Sequence, residues 1–157
     1  MKSWIATVIT SAITSAMASA LIAASGSVAA QSTPVGVWKT IDDKTKTERS
    51  QIRISEAGGV FTGKLEKLLA ADAKPDALCD KCSDDRKDKP IVGMEIIRGV
   101  KKGDAENTWE GGTILDAAEG KIYKVRMQPI EGGKKMEVRG YVGAPLFGRT
   151  QTWVRVE

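Results

Sequence analysis

From residue 35 onward, apolar and polar positions alternate in short runs of about strand length, separated by clusters rich in Gly, Asp and Pro. Residues 50–55 place Ile52 and Ile54 on one face, with Gln51 and Arg53 on the other. Residues 60–68 place Phe61 and Leu65 together, and residues 91–100 are apolar enough for a central strand. Further strands are predicted over 108–115, 120–128, 136–142 and 149–156, and Gly36-Val37-Trp38 opens the first. The intervening Asp116-Ala117-Ala118-Glu119-Gly120, Glu131-Gly132-Gly133-Lys134 and Gly143-Ala144-Pro145-Leu146-Phe147-Gly148 supply the backbone angles that reverse a chain. Residues 63–77 have room for one helical turn, which Pro75 would end. Residues 72–90 are charged and aperiodic, and read as one long surface loop.

The expected class is all-β: a single antiparallel up-and-down barrel of about eight strands. Consecutive strands joined by short turns leave two open edges unless the sheet closes, and eight strands enclose just enough space for packed side chains or one small ligand. A two-sheet sandwich is the alternative. Two polarities compete on the strand over 136–142, because Glu137, Arg139 and Tyr141 share one face while Met136, Val138 and Val142 share the other. On the strand over 120–128, Tyr123, Val125 and Met127 lie together, away from Lys124, Arg126 and Gln128.

The first thirty residues have a different character. Lys2 is followed by an uncharged run rich in Ala, Ser and Thr, then by Val28-Ala29-Ala30-Gln31. Small residues three and one before a cut are the pattern signal peptidase reads, so cleavage is expected after Ala30. The expected organisation is a signal peptide over 1–30 and one domain over 31–157, in the periplasm or secreted. The apolar run is weakly hydrophobic, which argues against a retained membrane anchor.

Removing Lys2 takes the 24 basic residues to 23, against 20 acidic ones. Both signs are interleaved, as in Asp84-Asp85-Arg86-Lys87-Asp88-Lys89, so no basic stripe for nucleic acid emerges. The chain has no histidine, which removes Ser-His and Cys-His nucleophile pairs and every His-containing zinc site. Glu110, Asp116 and Glu119 are the carboxylates closest to a catalytic cluster, but charges flanking a turn are usually solvated. No catalytic residue, resident metal or cofactor is expected.

Cys79-Asp80-Lys81-Cys82 has three readings. A redox site would want a helix start after a strand, and the charged, aperiodic Ser83-Asp84-Asp85-Arg86 does not supply one. A metal site would have only two of its four ligands. A disulfide tying a small loop in an oxidising compartment asks for nothing more.

Gly36-Val37-Trp38 on the first strand with Arg155 on the last resembles the signature of lipocalin and calycin barrels. That resemblance implies a barrel-end contact, an indole plugging one end with a guanidinium over its face. A longer series resembles the bacterial exported proteins grouped as domain-of-unknown-function family 2147. It runs through Gly36-Val37-Trp38, the Cys79-x-x-Cys82 loop ahead of Pro90-Ile91-Val92-Gly93, Trp109-Glu110-Gly111-Gly112, Gly120-Lys121-x-Tyr123, and Val138-Arg139-Gly140-Tyr141-Val142-Gly143 leading to Gly148-Arg149-Thr150-Gln151-Thr152-Trp153. The turn before Gly120 departs from it, reading Asp116-Ala117-Ala118-Glu119 where a proline and an asparagine would be expected. The resemblance implies a calycin-like barrel outside the cytoplasm and no established ligand.

The functional expectation is a barrel that binds a small hydrophobic or amphipathic ligand, with Tyr123 and Met127 on an apolar wall and Arg139 and Tyr141 as polar contacts. The alternative is a cell-envelope interaction protein with a filled core and an envelope protein partner. Neither reading involves nucleic acid or stable membrane insertion.

Overall fold

The computed structural model describes residues 32–156, so the expected signal peptide and its cut after Ala30 lie outside the described residues. Eight strands follow one another: β1 (Gly36–Ile41), β2 (Glu48–Ala57), β3 (Val60–Leu68), β4 (Glu95–Lys102), β5 (Trp109–Asp116), β6 (Lys121–Ile130), β7 (Lys135–Tyr141) and β8 (Gly148–Arg155). Each pairs antiparallel with the next, and β8 pairs back with β1 through Trp38↔Arg155 and Thr40↔Trp153. The sheet is therefore a closed barrel with no free edge. The only helical turn among the described residues is the 3₁₀ segment Glu131–Gly133. No helical turn forms over 63–77, because residues 60–68 pair with both neighbouring strands.

Closure decides which face of each strand is buried. Met136 lies opposite Trp153 and Val138 opposite Gln151, so the aliphatic face of β7 points inward and Glu137 and Arg139 point away from it. The lower half of the interior is solid. Trp38, Ile52, Ile54, Ile97, Val100, Val125, Met127 and Met136 are all buried, and Phe61 meets Trp109 edge-on with ring centroids 6.2 Å apart. Gly112 permits a close approach in the sheet: a Cβ there would sit 2.3 Å from the Arg98 carbonyl oxygen.

The bottom end is plugged. Trp38 Nε1 donates to the Pro34 carbonyl at 2.8 Å, and the Arg155 guanidinium carbon lies 4.1 Å from the Trp38 ring centroid. Arg155 also donates to the carbonyls of Gly133, Val35 and Thr33, tying the leading segment and the 3₁₀ turn to the barrel.

At the opposite end lie the connections 42–47, 69–94, 117–120 and 142–147. The second corrects two expectations. β4 starts at Glu95 rather than at residue 91, because the chain turns at Gly93 with φ +87° while Met94 is buried. Nor is the connection a plain surface loop, since Cys79, Cys82 and Arg86 are buried. Cys79 and Cys82 form a disulfide. Arg86 bonds both Asp84 oxygens and gives a further hydrogen bond to the Glu95 carbonyl, while Arg98 of β4 grips Asp85 through two bonds of 2.8 and 2.9 Å. Asp84, Asp85 and Arg86 of the loop are thus satisfied against the barrel wall.

Candidate functional site

Above the solid half the interior opens into a cavity of about 820 Å³, within the range of small-molecule sites. Its position follows from side-chain size along the inward faces. Bulky residues fill the lower levels, whereas the upper levels carry Thr40, Ser50, Gly140 and Gln151. Leu65, Ile96, Ile114, Tyr123 and Val138 form an apolar wall. Across from it, on β1, β2 and β8, runs a polar strip.

In that strip the Thr40 and Ser50 hydroxyls are hydrogen-bonded at 2.8 Å, and both residues are buried. Trp153 Nε1 donates to Gln151 Oε1 at 3.3 Å. At the rim stand two pairs of opposite charge. Arg149 donates to Asp43 Oδ2 from Nε at 2.9 Å and from a terminal nitrogen at 2.6 Å, and Arg49 lies 3.9 Å from Asp72. The amides of Thr45 and Lys44 hold the Asp42 carboxyl below its ordinary range.

The disulfide loop covers one side of the mouth and contributes Ala73, Ala77 and Ile91 to the lining. It presses closely on the turn between β5 and β6. Cys79 Sγ lies 3.5 Å from the Ala117 carbonyl oxygen, and a Cβ at Gly120, where φ is +67°, would fall 2.0 Å from the Lys81 carbonyl oxygen. Gly120 therefore admits this contact and the turn's left-handed backbone together.

The pattern of residues 36–155 matches the model of a family described as "uncharacterized protein conserved in bacteria (DUF2147)". The chain belongs to that family. For this DUF2147 chain the barrel also has a solved counterpart: a structure described as protein HP1028 from the human pathogen Helicobacter pylori, of the lipocalin family. The two superpose with a TM-score of 0.67 at 18% identity, covering 78% of this chain and 82% of that one. At that identity the likeness speaks for the fold alone, a lipocalin-like closed barrel. No curated protein matches the chain.

The residues singled out from the DUF2147 sequence fall in different places. Tyr123 lines the cavity, whereas Met127 is wholly buried in the solid half below it. Arg139 is outside the cavity lining. Its Nε donates to the Pro145 carbonyl at 2.6 Å and a terminal nitrogen to Thr150 Oγ1 at 2.7 Å, so it clasps the connection between β7 and β8. Tyr141 ends β7; it is buried and sits at the cavity mouth. The three carboxylates do not converge. Glu110 takes a hydrogen bond from Arg126 Nε at 2.7 Å, Asp116 Oδ1 accepts from the amides of its own turn, and Glu119 lies 3.9 Å from Lys121. Six residues apart on one strand, Glu110 and Asp116 are separated by roughly 20 Å.

Thr40, Ser50 and Gln151 are lining residues that the sequence reading passed over. A signal existed. Thr40 alternates with Trp38, Ser50 with Ile52 and Gln151 with Trp153, so polar side chains stand on faces whose next inward position is large and apolar.

Proposed function

We propose that this protein is an exported barrel, periplasmic or secreted after cleavage at Ala30, that works by binding a small hydrophobic or amphipathic molecule and not by catalysis. The observation that carries the reading is the cavity of about 820 Å³ above a filled half-core. An interior closed at one end, roofed on one side by a tethered loop and lined by apolar side chains with a few polar groups has the make-up of a ligand site. The separate engagement of Glu110, Asp116 and Glu119 favours binding over carboxylate chemistry. No described helix is long and apolar enough to cross a membrane.

Native mass spectrometry of the protein taken from the envelope of its own producing cells tests the reading. Expected is a chain beginning at Gln31, two hydrogens light for the disulfide, carrying extra mass that leaves on denaturation. Gly140→Leu should abolish that mass. The atoms nearest to a Cβ at Gly140 belong to Tyr123 and Ile114, at 3.6 to 3.8 Å, and Gly140 lines the cavity, so a leucine side chain there takes cavity space. A bare chain from both proteins would overturn ligand binding.

One observation favours a second reading, an envelope interaction protein. Val142, Leu146 and Phe147, all on the connection between β7 and β8, are 64%, 80% and 71% exposed, a concentration of apolar surface that suits a protein partner. Bare barrels from both preparations, together with loss of a co-purifying partner in Leu146→Ser/Phe147→Ser, would favour it.

A further inference from the structure

Hydrogen-bond capacity along the polar strip says which ligand chemistry the cavity fits. An indole N–H only donates, so the group Trp153 Nε1 meets on Gln151 has to be the amide oxygen. That fixes the amide's orientation. Its nitrogen, with two hydrogens, has no partner among the described residues, and Gln151 lines the cavity. The Thr40–Ser50 pair has a similar surplus, because their mutual bond at 2.8 Å uses one of two hydroxyl hydrogens.

We propose that Gln151 and the Thr40–Ser50 pair recognise a neutral hydrogen-bond acceptor, a ketone or ester carbonyl, on an otherwise apolar ligand. This deepens the binding reading and rests on it. Thr40 lies directly across from Trp153 in the β1–β8 ladder, so Gln151, two residues along β8, is its diagonal neighbour. The three residues therefore present donors from one side of the cavity, flanked by Leu65 on β3 and Val138 on β7 and opposite Ile96, Ile114 and Tyr123 on β4 to β6. Apolar chain can pack on that far wall while a carbonyl oxygen takes the free hydrogens.

Charge argues against a carboxylate at this depth. A buried anion needs a cation or several donors, and the three cations of the lining, Arg49, Lys74 and Arg149, are exposed at the rim, Arg149 held by Asp43 and Arg49 beside Asp72. Trp153 acts as a positioning residue, since its N–H sets which end of the Gln151 amide faces the cavity.

The test compares 2-decanone, decane and decanoate, followed through the indole emission of the full mature chain, in which Trp153 lines the site. Expected is binding of 2-decanone about tenfold tighter than decane, the effect of one or two net hydrogen bonds. The near-isosteric Gln151→Met removes the amide donors without adding a charge and should take away most of the preference for 2-decanone over decane. Thr40→Val/Ser50→Ala should do the same in part, and circular dichroism should show both variants folded. Equal binding of ketone and alkane, unmoved by either variant, would overturn the polar recognition and leave the cavity as a site. Tightest binding of decanoate, lost in Arg149→Ala, would overturn it in favour of an anion read at the rim. Binding of none of the three would overturn the cavity reading itself.

Discussion

Replacing Arg155 with alanine tests the plugged end of the barrel. The guanidinium lies 4.1 Å from the Trp38 centroid and donates to three carbonyls, those of Gly133, Val35 and Thr33. Burial holds the arginine's pKa below its ordinary value, so part of the attraction offsets desolvation. A partly desolvated cation over an indole contributes about 1 kcal/mol. The three hydrogen bonds add about 1.5 kcal/mol together, less than their usual sum because water can replace the arginine at the carbonyls. Loss of the aliphatic stem from the wholly buried Trp38 adds roughly 0.5 kcal/mol.

The total is about 3 kcal/mol, which in a domain of this size lowers Tm by about 10 °C. Thermal melting followed by circular dichroism measures it, and indole emission should shift to the red as the Trp38 ring meets water. Arg155→Lys keeps the charge but not the three-way reach, and should recover about half of the loss. A Tm within about 2 °C of the parent, with unshifted emission, would refute the reasoning. It would mean that the leading segment and the 3₁₀ turn hold the barrel end without the arginine.

Other perturbations probe the mouth and the loop. Hydrogen bonds from Arg86, the main cause, pull the Asp84 carboxyl down to about 2. Its contribution is therefore fully present above the ordinary carboxylate range, near pH 4, and is lost as pH falls through about 2. Asp84→Asn should cost about 2 kcal/mol at neutral pH by leaving the buried Arg86 under-compensated, and should flatten the fall of Tm between pH 4 and 2; an unchanged slope would count against the pairing. Cys79→Ser/Cys82→Ser should destabilise by about 2 kcal/mol in the chain-entropy model, with hydrogen exchange rising in residues 69–94 before the strands. Gly120→Ala should raise exchange in the same loop, since its Cβ would run into the Lys81 carbonyl; protection equal to the parent's would contradict that contact.

Strand order and most strand limits were legible because alternation and turn chemistry are local, and closure followed from the need to cover two open edges. The sequence pattern matched β3 in full at 60–68 and came within one or two residues at β5 to β8. β4 was misread at its start for a physical reason. Residues 91–94 are apolar because they pack under the mouth, and Leu65 exchanges hydrogen bonds with Gly93 and Met94 there, outside a regular strand. Burial of the disulfide loop was illegible because the contacts that hold it to the wall, Arg86 to the Glu95 carbonyl and Arg98 of β4 to Asp85, join residues that no local pattern pairs. Arg139 posed a choice that alternation could not make. Barrel closure made it, by placing Met136 against Trp153.

On the binding reading proposed above, the two halves of this barrel divide stability from recognition. The filled lower half and the Trp38–Arg155 plug bury the large side chains, so the fold does not need the upper half to be filled. There the same inward positions carry Thr40, Ser50, Gly140 and Gln151, residues that contribute little hydrophobic stabilisation and leave a cavity. An interior selected for packing alone would place branched aliphatic side chains at those four positions, and Gly140 has room for at least a methyl group at ordinary contact distance. Small and polar residues concentrated at one end of an otherwise close-packed barrel are therefore better explained by an occupant than by folding. The same argument accounts for the tethered loop. Pinned by a disulfide and two arginine–aspartate pairs, it holds Ala73, Ala77 and Ile91 as apolar surface along one side of the mouth.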